Sequence, residues 1–292
     1  MEQYLTAHEI RITWLLFVCA FIFIGVGETF RPRKSLRMST PRRWCGNAIL
    51  AVSVIATEAV YPIGGTAVAL TVIKNPYGLL NRAGVPFALR CALAVAILDF
   101  LRYAEHYLFH HNALLWRIHQ VHHSDRDFDL TTGVRNHPAE VLLGQAAYLA
   151  SIALLAPPPV AIVALGIAVG VQNLFAHANL RLPDVVDRAL RPFVVTPDVH
   201  RIHHSERFEE QNANYGFLFP WWDKLFGTYR ASPADGHDDM RIGLEELPDE
   251  RSANGLYLLT LPFRNVPTST PSAAAPGSGT AVETGFSATP LP

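Results

Sequence analysis

The apolar residues of this 292-residue chain are concentrated in blocks, and polar or charged segments separate these blocks. The first block, residues 12–28, stays uncharged until its last position and has about the minimum length that crosses the hydrocarbon core of a bilayer. Two further blocks, 47–73 and 83–104, are also long enough to cross. The pattern therefore predicts three membrane-spanning helices before the middle of the chain.

A fourth apolar block, residues 141–176, is too long for one span. Three consecutive prolines at 157–159 remove backbone donors and end a helix. This block is therefore expected to form a hairpin of two helices, which either span the bilayer fully or lie shallower. Because a hairpin leaves and returns to one face, the flanking segments 105–140 and 177–231 are expected to share that face.

Charge gives the predicted spans an orientation. A net charge of −1 excludes a general attraction to nucleic acid. The first block begins after Glu2 and Glu9 rather than a basic leader, which favours a retained span over a cleaved signal peptide. By the positive-inside rule, the basic segment after this block is cytoplasmic. Two further spans and a hairpin then bring segments 105–140 and 177–231 to the cytoplasmic face as well. The basic residues are Arg31, Arg33, Lys34, Arg37, Arg42 and Arg43. The wide use of Ala, Arg and Pro suits a multi-pass protein of a bacterial inner membrane.

Composition changes at residue 232. From about 267 the chain is rich in Pro, Gly, Ser and Thr and poor in large apolar residues, which is typical of disorder. We therefore expect a membrane-embedded domain over 1–231 and a C-terminal extension over 232–292. The three cysteines are too scattered for a disulfide framework or a CxxC motif.

One histidine pattern occurs twice in the segments expected at the cytoplasmic face, as HQVHH at 119–123 and HRIHH at 200–204. On a helix, positions i, i+3 and i+4 lie on one side, so the histidines of each copy are expected to converge. Two more histidines lie four residues apart just after the third predicted span, and one follows the hairpin. The nine candidate ligands are His106, His110, His119, His122, His123, His177, His200, His203 and His204.

Nine imidazoles exceed the needs of one ion, so the pattern predicts a site for two transition metal ions. Asn173, four residues before the histidine that follows the hairpin, could complete one coordination sphere directly or through water. Nearby carboxylates are expected to accept hydrogen bonds from the outer ring nitrogens of the ligands. The residues expected in this supporting role are Asp99, Glu105, His137 and Glu140, and packing is the alternative for His137. The other histidines, His8, His111 and His237, are expected at the surface or in structural roles.

Six motifs between residues 99 and 229 resemble, in order and separation, those of the fatty acid hydroxylase/sterol desaturase superfamily of integral-membrane oxygenases. The motifs are DFLRYAEHYLFHH at 99–111, LLWRIHQVHHSD at 114–125, TTGVRNHPAE at 131–140, FAHANLRLP at 175–183, TPDVHRIHHS at 196–205 and NYGFLFPWWDKLFGTY at 214–229. The resemblance implies an all-α fold, an integral-membrane helical bundle with a cytoplasmic helical cap. It further implies that the cap holds a dinuclear iron site through the nine histidines. Some relatives carry a histidine at the position of Asn173, so this chain departs from them there.

The resemblance also implies a reaction. A membrane-bound oxygenase of this kind hydroxylates, or desaturates, an unactivated C–H bond of a lipid such as a sterol or a fatty acyl chain. It uses O2 and two iron ions, for which zinc can substitute on purification. Electrons are expected from outside, from a ferredoxin, a small haem protein or a reductase, because the chain has neither a CxxC cluster nor a GxGxxG fingerprint.

Two other classes of function stay open at this stage. A zinc-dependent membrane hydrolase would combine histidine ligands with a carboxylate base, but HExxH is absent and nine imidazoles exceed its need. A histidine-rich metal transport or storage protein would place its ligands along a path within the spans rather than at one face.

Overall fold

The computed structural model describes residues 2–60, 63–75, 77–81 and 84–264. All regular elements in these ranges are helical, and the only β pairing in them consists of two isolated bridges. The all-α prediction is therefore confirmed for this part of the chain. The tail that is predicted to be disordered, from about residue 267, lies outside the described residues.

Local capping fixes the helix ends that place the histidines. The α-helices are, in chain order, α1 Glu2–Ala7, α2 Glu9–Phe30, α3 Thr40–Val60, α4 Gly65–Val72, α5 Phe87–His111, α6 Ala113–His123, α7 Pro138–Leu155, α8 Pro159–Ala176, α9 Asp184–Leu190, α10 Pro197–His203, α11 Phe208–Gln211, α12 Trp221–Phe226, α13 Gly236–Asp239, α14 Asp249–Ser252 and α15 Gly255–Thr260, with 3₁₀ turns at Leu130–Val134 and Leu261–Phe263. Asn112 separates α5 from α6, because its Oδ1 accepts hydrogen bonds from the backbone N–H groups of Leu114 and Leu115. Pro138 and Pro197 begin α7 and α10, where a missing N–H costs least.

Four helical segments of the described chain are long and apolar enough to cross a membrane. They are Glu9–Phe30, Thr40–Val72, Pro138–Leu155 and Pro159–Ala176. Their outer faces are apolar, and on α2 the side chains of Ile22 and Phe23 are 59% and 80% exposed. A continuous apolar surface of this kind is suited to contact with lipid.

Two predicted spans take a different form in the structure. The block 47–73 lies in two described helices, since α3 begins already at Thr40 and α4 starts only after the extended Gly64. The block 83–104 lies in α5, which starts at Phe87, continues to His111 and is not among the four segments apolar enough to cross. One of the charged residues that make α5 less apolar, Asp99, is fully buried within the bundle.

The bundle packs around α8. One apolar cluster joins α4, α5, α7 and α8 through residues such as Leu98, Ile152 and Ile162. A second joins α2 to the end of α8 through Ile24 and Leu174. These contacts bring the ends of α5, α7 and α8 together, and the histidines lie at those ends.

The described part of the predicted C-terminal extension packs closely against a histidine helix. Leu247 and Leu258 share an apolar cluster with Trp116 and Val121 of α6. The backbone carbonyl of Pro262 also accepts a hydrogen bond from an arginine of α6. Residues 232–264 therefore cover α6 instead of forming a separate appendage.

The basic segment 31–43 lies at the same end of the bundle. The Arg33 side chain pairs with Asp198 at 3.1 Å, next to the second HxxHH copy. The fully buried Arg43 pairs with Asp125 and Asp129, just after the first copy. Arg33 and Arg43 thus form ion pairs next to both HxxHH copies, so segment 31–43 lies beside the two histidine segments.

Candidate metal centre

The structure brings all nine candidate histidines together in two groups. Within each group the possible ligand atoms lie within 4.8 Å of one another. The first group contains His106, His110, His119, His123 and His203, and the second contains His122, His177, His200 and His204. All are buried except His106, which is partly buried. The groups are adjacent, since the rings of His123 and His204 stack at 4.5 Å between centroids.

Each HxxHH copy contributes to both groups. In the first copy, on α6, the outer histidines belong to the five-histidine group and His122 to the other. In the second copy, on α10, the arrangement is reversed, and His203 alone joins the five-histidine group. The prediction that the three histidines of one copy face a common point is therefore too simple. Each copy bridges two sites.

Five of the nine rings are oriented by an acceptor behind them. In each of these rings the Nδ1 atom, which faces away from the other histidines, donates a hydrogen bond. The donor–acceptor pairs are His106 to Tyr215 O (2.9 Å), His122 to Arg135 O (3.2 Å), His177 to Asn173 O (2.7 Å), His203 to Ala213 O (2.7 Å) and His119 to Glu140 Oε1 (2.8 Å). A carbonyl or carboxylate oxygen can only accept, so Nδ1 must carry the hydrogen in these rings. In a neutral imidazole, the opposite nitrogen, Nε2, is then a bare lone pair.

These bare lone pairs point at one another. In the first group, His106 Nε2 lies 3.1 Å from His119 Nε2 and 2.9 Å from His203 Nε2. In the second group, His122 Nε2 lies 3.1 Å from His177 Nε2. No hydrogen is left to bridge these pairs, so the contacts are repulsive unless a cation lies between them.

The spacing of these nitrogens fits a bound metal ion. Nitrogens that bind one ion at about 2.1 Å are separated by about 3.0 Å at a right angle and about 3.4 Å at a tetrahedral angle. The Nε2 separations in both groups, from 2.9 Å to 3.3 Å, lie in or next to that range. Imidazole is a good ligand for iron, zinc, copper and nickel, so the donor set suits a transition metal and not a hard cation such as calcium.

Burial keeps these imidazoles neutral. It lowers the pKa of His203 to about 3 and that of His177 to about 4. It also holds the pKa of His122 and His200 well below the ordinary value. A neutral imidazole offers its lone pair without first losing a proton, which is the form that binds metal.

Of the four residues predicted to support the ligands, only Glu140 bonds to a candidate ligand among the described residues. Asp99 instead accepts from the Leu218 N–H at 3.0 Å and the Trp222 indole N–H at 2.8 Å, so it anchors the segment before α12. Among the described residues, the hydrogen bonds of Asp99 therefore go to that segment and not to a histidine ring, the nearest of which in sequence, His106, lies about two turns further along α5.

The other two residues with a predicted supporting role, Glu105 and His137, have no hydrogen bond with a candidate ligand among the described residues. Glu105 lines the cavity next to the histidines and packs against Gly144 of α7, but it forms no hydrogen bond with a ring. His137 caps α7, since its Nδ1 accepts from the Ala139 N–H, and its Nε2 lies 3.2 Å from the carbonyl of Leu259. His137 is therefore a structural residue.

Asn173 lies beside the second group. Its amide nitrogen donates to the Gly133 carbonyl at 2.6 Å, and the side chain lines the same cavity as His177 and His200. This bond fixes the amide and leaves its oxygen as the atom that could contact a metal or a metal-bound water.

Sequence reasoning missed most of the supporting acceptors, because four of the five are backbone carbonyls. It also missed the fully buried Arg135, whose guanidinium donates to Ser124 Oγ and to the Ser252 carbonyl. Arg135 thereby holds the loop after α6 and presents its own carbonyl to His122. A backbone acceptor leaves no mark in the sequence, whereas Arg135 was visible as a charged residue of the TTGVRNHPAE motif to which no role had been assigned.

A cavity of about 270 Å³ opens onto both groups. Its wall includes His106 and His119 from the first group and His122, His177 and His200 from the second. Other wall residues come from α5, α7 and the end of α3. A small molecule in this cavity would touch both groups at once.

The comparison with protein families agrees with this geometry. The family described as fatty acid hydroxylase matches residues 91–228, a range that contains all nine histidines. By this match, residues 91–228 form a fatty acid hydroxylase domain. The resemblance seen in the motifs is thereby confirmed, and the fatty acid hydroxylase domain extends from α5 to just beyond α12.

Individual relatives are lipid-oxidising enzymes by name. An ornithine lipid hydroxylase of Rhizobium tropici is 33% identical over 54% of this chain and 46% of its own length. An alkylglycerol monooxygenase of Caenorhabditis elegans is 26% identical over 86% of this chain and 46% of its own length. The human alkylglycerol monooxygenase is 31% identical over 46% of this chain and 29% of its own length. The chain thus spans less than half the length of these curated relatives. No solved structure matches it significantly.

Proposed function

We propose that this protein is a membrane-bound lipid hydroxylase that holds two iron ions, one in each histidine group, and uses O2 and electrons from an external donor. The observation that carries the proposal is the convergence of bare Nε2 lone pairs in two adjacent buried groups within a fatty acid hydroxylase domain. Glu140 and the backbone carbonyls fix the ring orientations that this convergence requires. Nothing else in the described chain offers a comparable set of reactive groups.

Iron bound at such a site supplies the activation of O2 and the oxidation of an unactivated C–H bond, chemistry that amino acid side chains do not provide. The protein positions the reactants. The cavity presents a substrate carbon to both groups, and Phe109 contributes an apolar wall. The buried rings and the covering segment 232–264 keep bulk water away from the histidines.

We further propose a membrane lipid as the substrate and hydroxylation as the outcome, because the relatives named above are hydroxylases or monooxygenases of lipids. Their names direct the first tests to ornithine lipids and alkylglycerols, ahead of sterols and free fatty acyl chains. A ferredoxin, a small haem protein or a reductase would supply electrons. We place the histidine end at the cytoplasmic face of a bacterial inner membrane, with residues 1–231 as the oxygenase domain and the extension as its cover.

The test combines metal analysis with turnover. The purified protein should contain about two iron ions per chain and should consume O2 when lipid and reductant are both present. His122→Ala and His203→Ala should lower metal content and abolish lipid oxidation. His111→Ala should leave both unchanged, because His111 is exposed and stacks on Tyr107 outside the groups. Tightly held metal without any lipid-dependent O2 consumption under reducing conditions would contradict the proposal.

A further inference from the structure

A second cavity adjoins the one at the histidines. It has a volume of about 330 Å³ and lies between α5 and α7, with a wall that is mainly leucine and alanine, including Leu98, Leu101 and Leu143. The two cavities share three wall residues, Arg102, Glu105 and Phe109. An apolar space and a histidine-lined space therefore meet at one short stretch of α5.

Arg102 stands at this junction without a hydrogen-bonded partner among the described residues. Among the described residues, its guanidinium forms no hydrogen bond and has no carboxylate oxygen within 4.0 Å, and its Nε is buried. Asp99 accepts hydrogen bonds from the segment before α12, and Glu105, three residues further along α5, attracts Arg102 electrostatically without a hydrogen bond to it. A buried donor with no acceptor is costly, so this side chain is expected to meet a ligand.

Two aromatic rings hold the guanidinium in place. Its central carbon lies 5.2 Å from the ring centroid of Tyr148 on α7 and 5.5 Å from that of Phe217. Cation–π contacts of this length fix the head of the side chain while its N–H edge stays available. A fixed planar fork is suited to bidentate binding of a carboxylate or a phosphate.

We propose that Arg102 binds the anionic oxygens of the lipid substrate, a carboxylate or a phosphate, while the hydrocarbon chain of that lipid occupies the apolar cavity between α5 and α7. The inference rests on the proposed function. Arg102 lies one helical turn before His106, so a group bound by Arg102 holds the adjoining part of the lipid beside the histidine cavity. Arg102 is thus a positioning residue that selects amphiphiles by the charge of their polar group.

The experiment measures equilibrium binding to the purified, iron-loaded full chain in a neutral detergent. The probes are four radiolabelled twelve-carbon amphiphiles: dodecanoate, dodecyl phosphate, dodecanol and dodecyltrimethylammonium. The variants are Arg102→Gln, Arg102→Lys and, as a matched control, Arg90→Gln. Arg90 is on the same helix, lines neither cavity and donates to Asn81 Oδ1 at 3.0 Å.

The wild type should prefer one or both anionic probes over dodecanol and the ammonium probe, and the preferred anion distinguishes a carboxylate from a phosphate substrate. Arg102→Gln should weaken binding of that anion by about 10- to 100-fold, which corresponds to the loss of a charge-assisted hydrogen bond. Binding of dodecanol should change little. Arg102→Lys should show a smaller loss, because the charge remains and the fork is gone, and Arg90→Gln should behave as the wild type.

Equal affinity of the wild type for all four probes would overturn the inference, as would an equal loss for all four in Arg102→Gln, which would indicate a packing role. If Arg102→Gln does not fold, the wild-type series and Arg102→Lys decide. A wild type that oxidises lipid while Arg102→Gln binds anions normally would refute this inference alone. Anion binding that depends on Arg102 in a protein that oxidises no lipid would refute the proposed function alone.

Discussion

Replacing Glu140 by glutamine should weaken one metal site and spare the other. Glu140 Oε1 accepts from His119 Nδ1 at 2.8 Å, and His119 belongs to the five-histidine group. Glutamine keeps an acceptor of similar shape but loses the charge, so a charge-assisted bond becomes a neutral one. That change is worth roughly 1–1.5 kcal/mol, or about a tenfold lower affinity for the ion in that group. Glu140→Ala also frees the ring, and the loss should approach 100-fold.

The assay is metal release under competition with a chelator of known affinity. The chelator should remove the two ions of the wild type in two steps. In Glu140→Gln the two steps should lie further apart in chelator concentration, because only one site is weakened. Glu105→Gln is the matched control, because Glu105 lines the same cavity without bonding to a ring. The reasoning is refuted if Glu140→Gln retains both ions as the wild type does, or if Glu105→Gln loses metal to the same degree.

Further predictions concern single residues of the fold and site. His110→Ala should remove one metal ion per chain, whereas His111→Ala, at an exposed position, should retain both in the same metal analysis. Arg135→Met removes four hydrogen bonds of a fully buried guanidinium and should destabilise the protein by about 3–5 kcal/mol in chemical unfolding. Asp99→Ala leaves buried backbone and indole donors unpaired, so stability should fall by about 1–3 kcal/mol while metal content stays unchanged. Gly46→Val would place a Cβ 2.4 Å from the carbonyl oxygen of residue 253 and should expose segment 232–264 to limited proteolysis.

The repeated histidine pattern predicted one shared site. The division of the histidines into two groups could also have been predicted from the sequence. Consecutive residues of a helix point about 100° apart, while residues four apart differ by only about 40°. His122 and His123 must therefore face different directions, and His119 must side with His123. The structure places them in this way, with His122 in the second group. An adjacent histidine pair is thus an indication of two sites.

The supporting contacts were less accessible. The acceptors behind His106 and His203 are the carbonyls of residues 215 and 213, which approach only when the segment after α11 folds back. Spacing along the chain contains no information about such a return. Closeness in sequence can also mislead. Asp99 lies near the histidines along the chain, but its helix turns the carboxylate toward the segment before α12.

The length of an apolar block alone did not predict the form of every span. Hydropathy located the helices, yet α5 combines an apolar stretch with internal charges that the fold uses, and it continues without a break into the first histidines. The cover formed by residues 232–264 was also not anticipated. Leu247 is an isolated apolar residue in a polar stretch, and the short apolar stretch 256–263, which contains Leu258, had no assigned place in the fold. Their importance depends on the groove that α3 and α6 offer them.

A structure of the purified protein with anomalous scattering recorded at the iron edge tests the central claim most directly. Two peaks are expected, one among His106, His110, His119, His123 and His203, and one among His122, His177, His200 and His204. A single peak, or peaks at other positions while both histidine groups remain free of metal, would contradict the account.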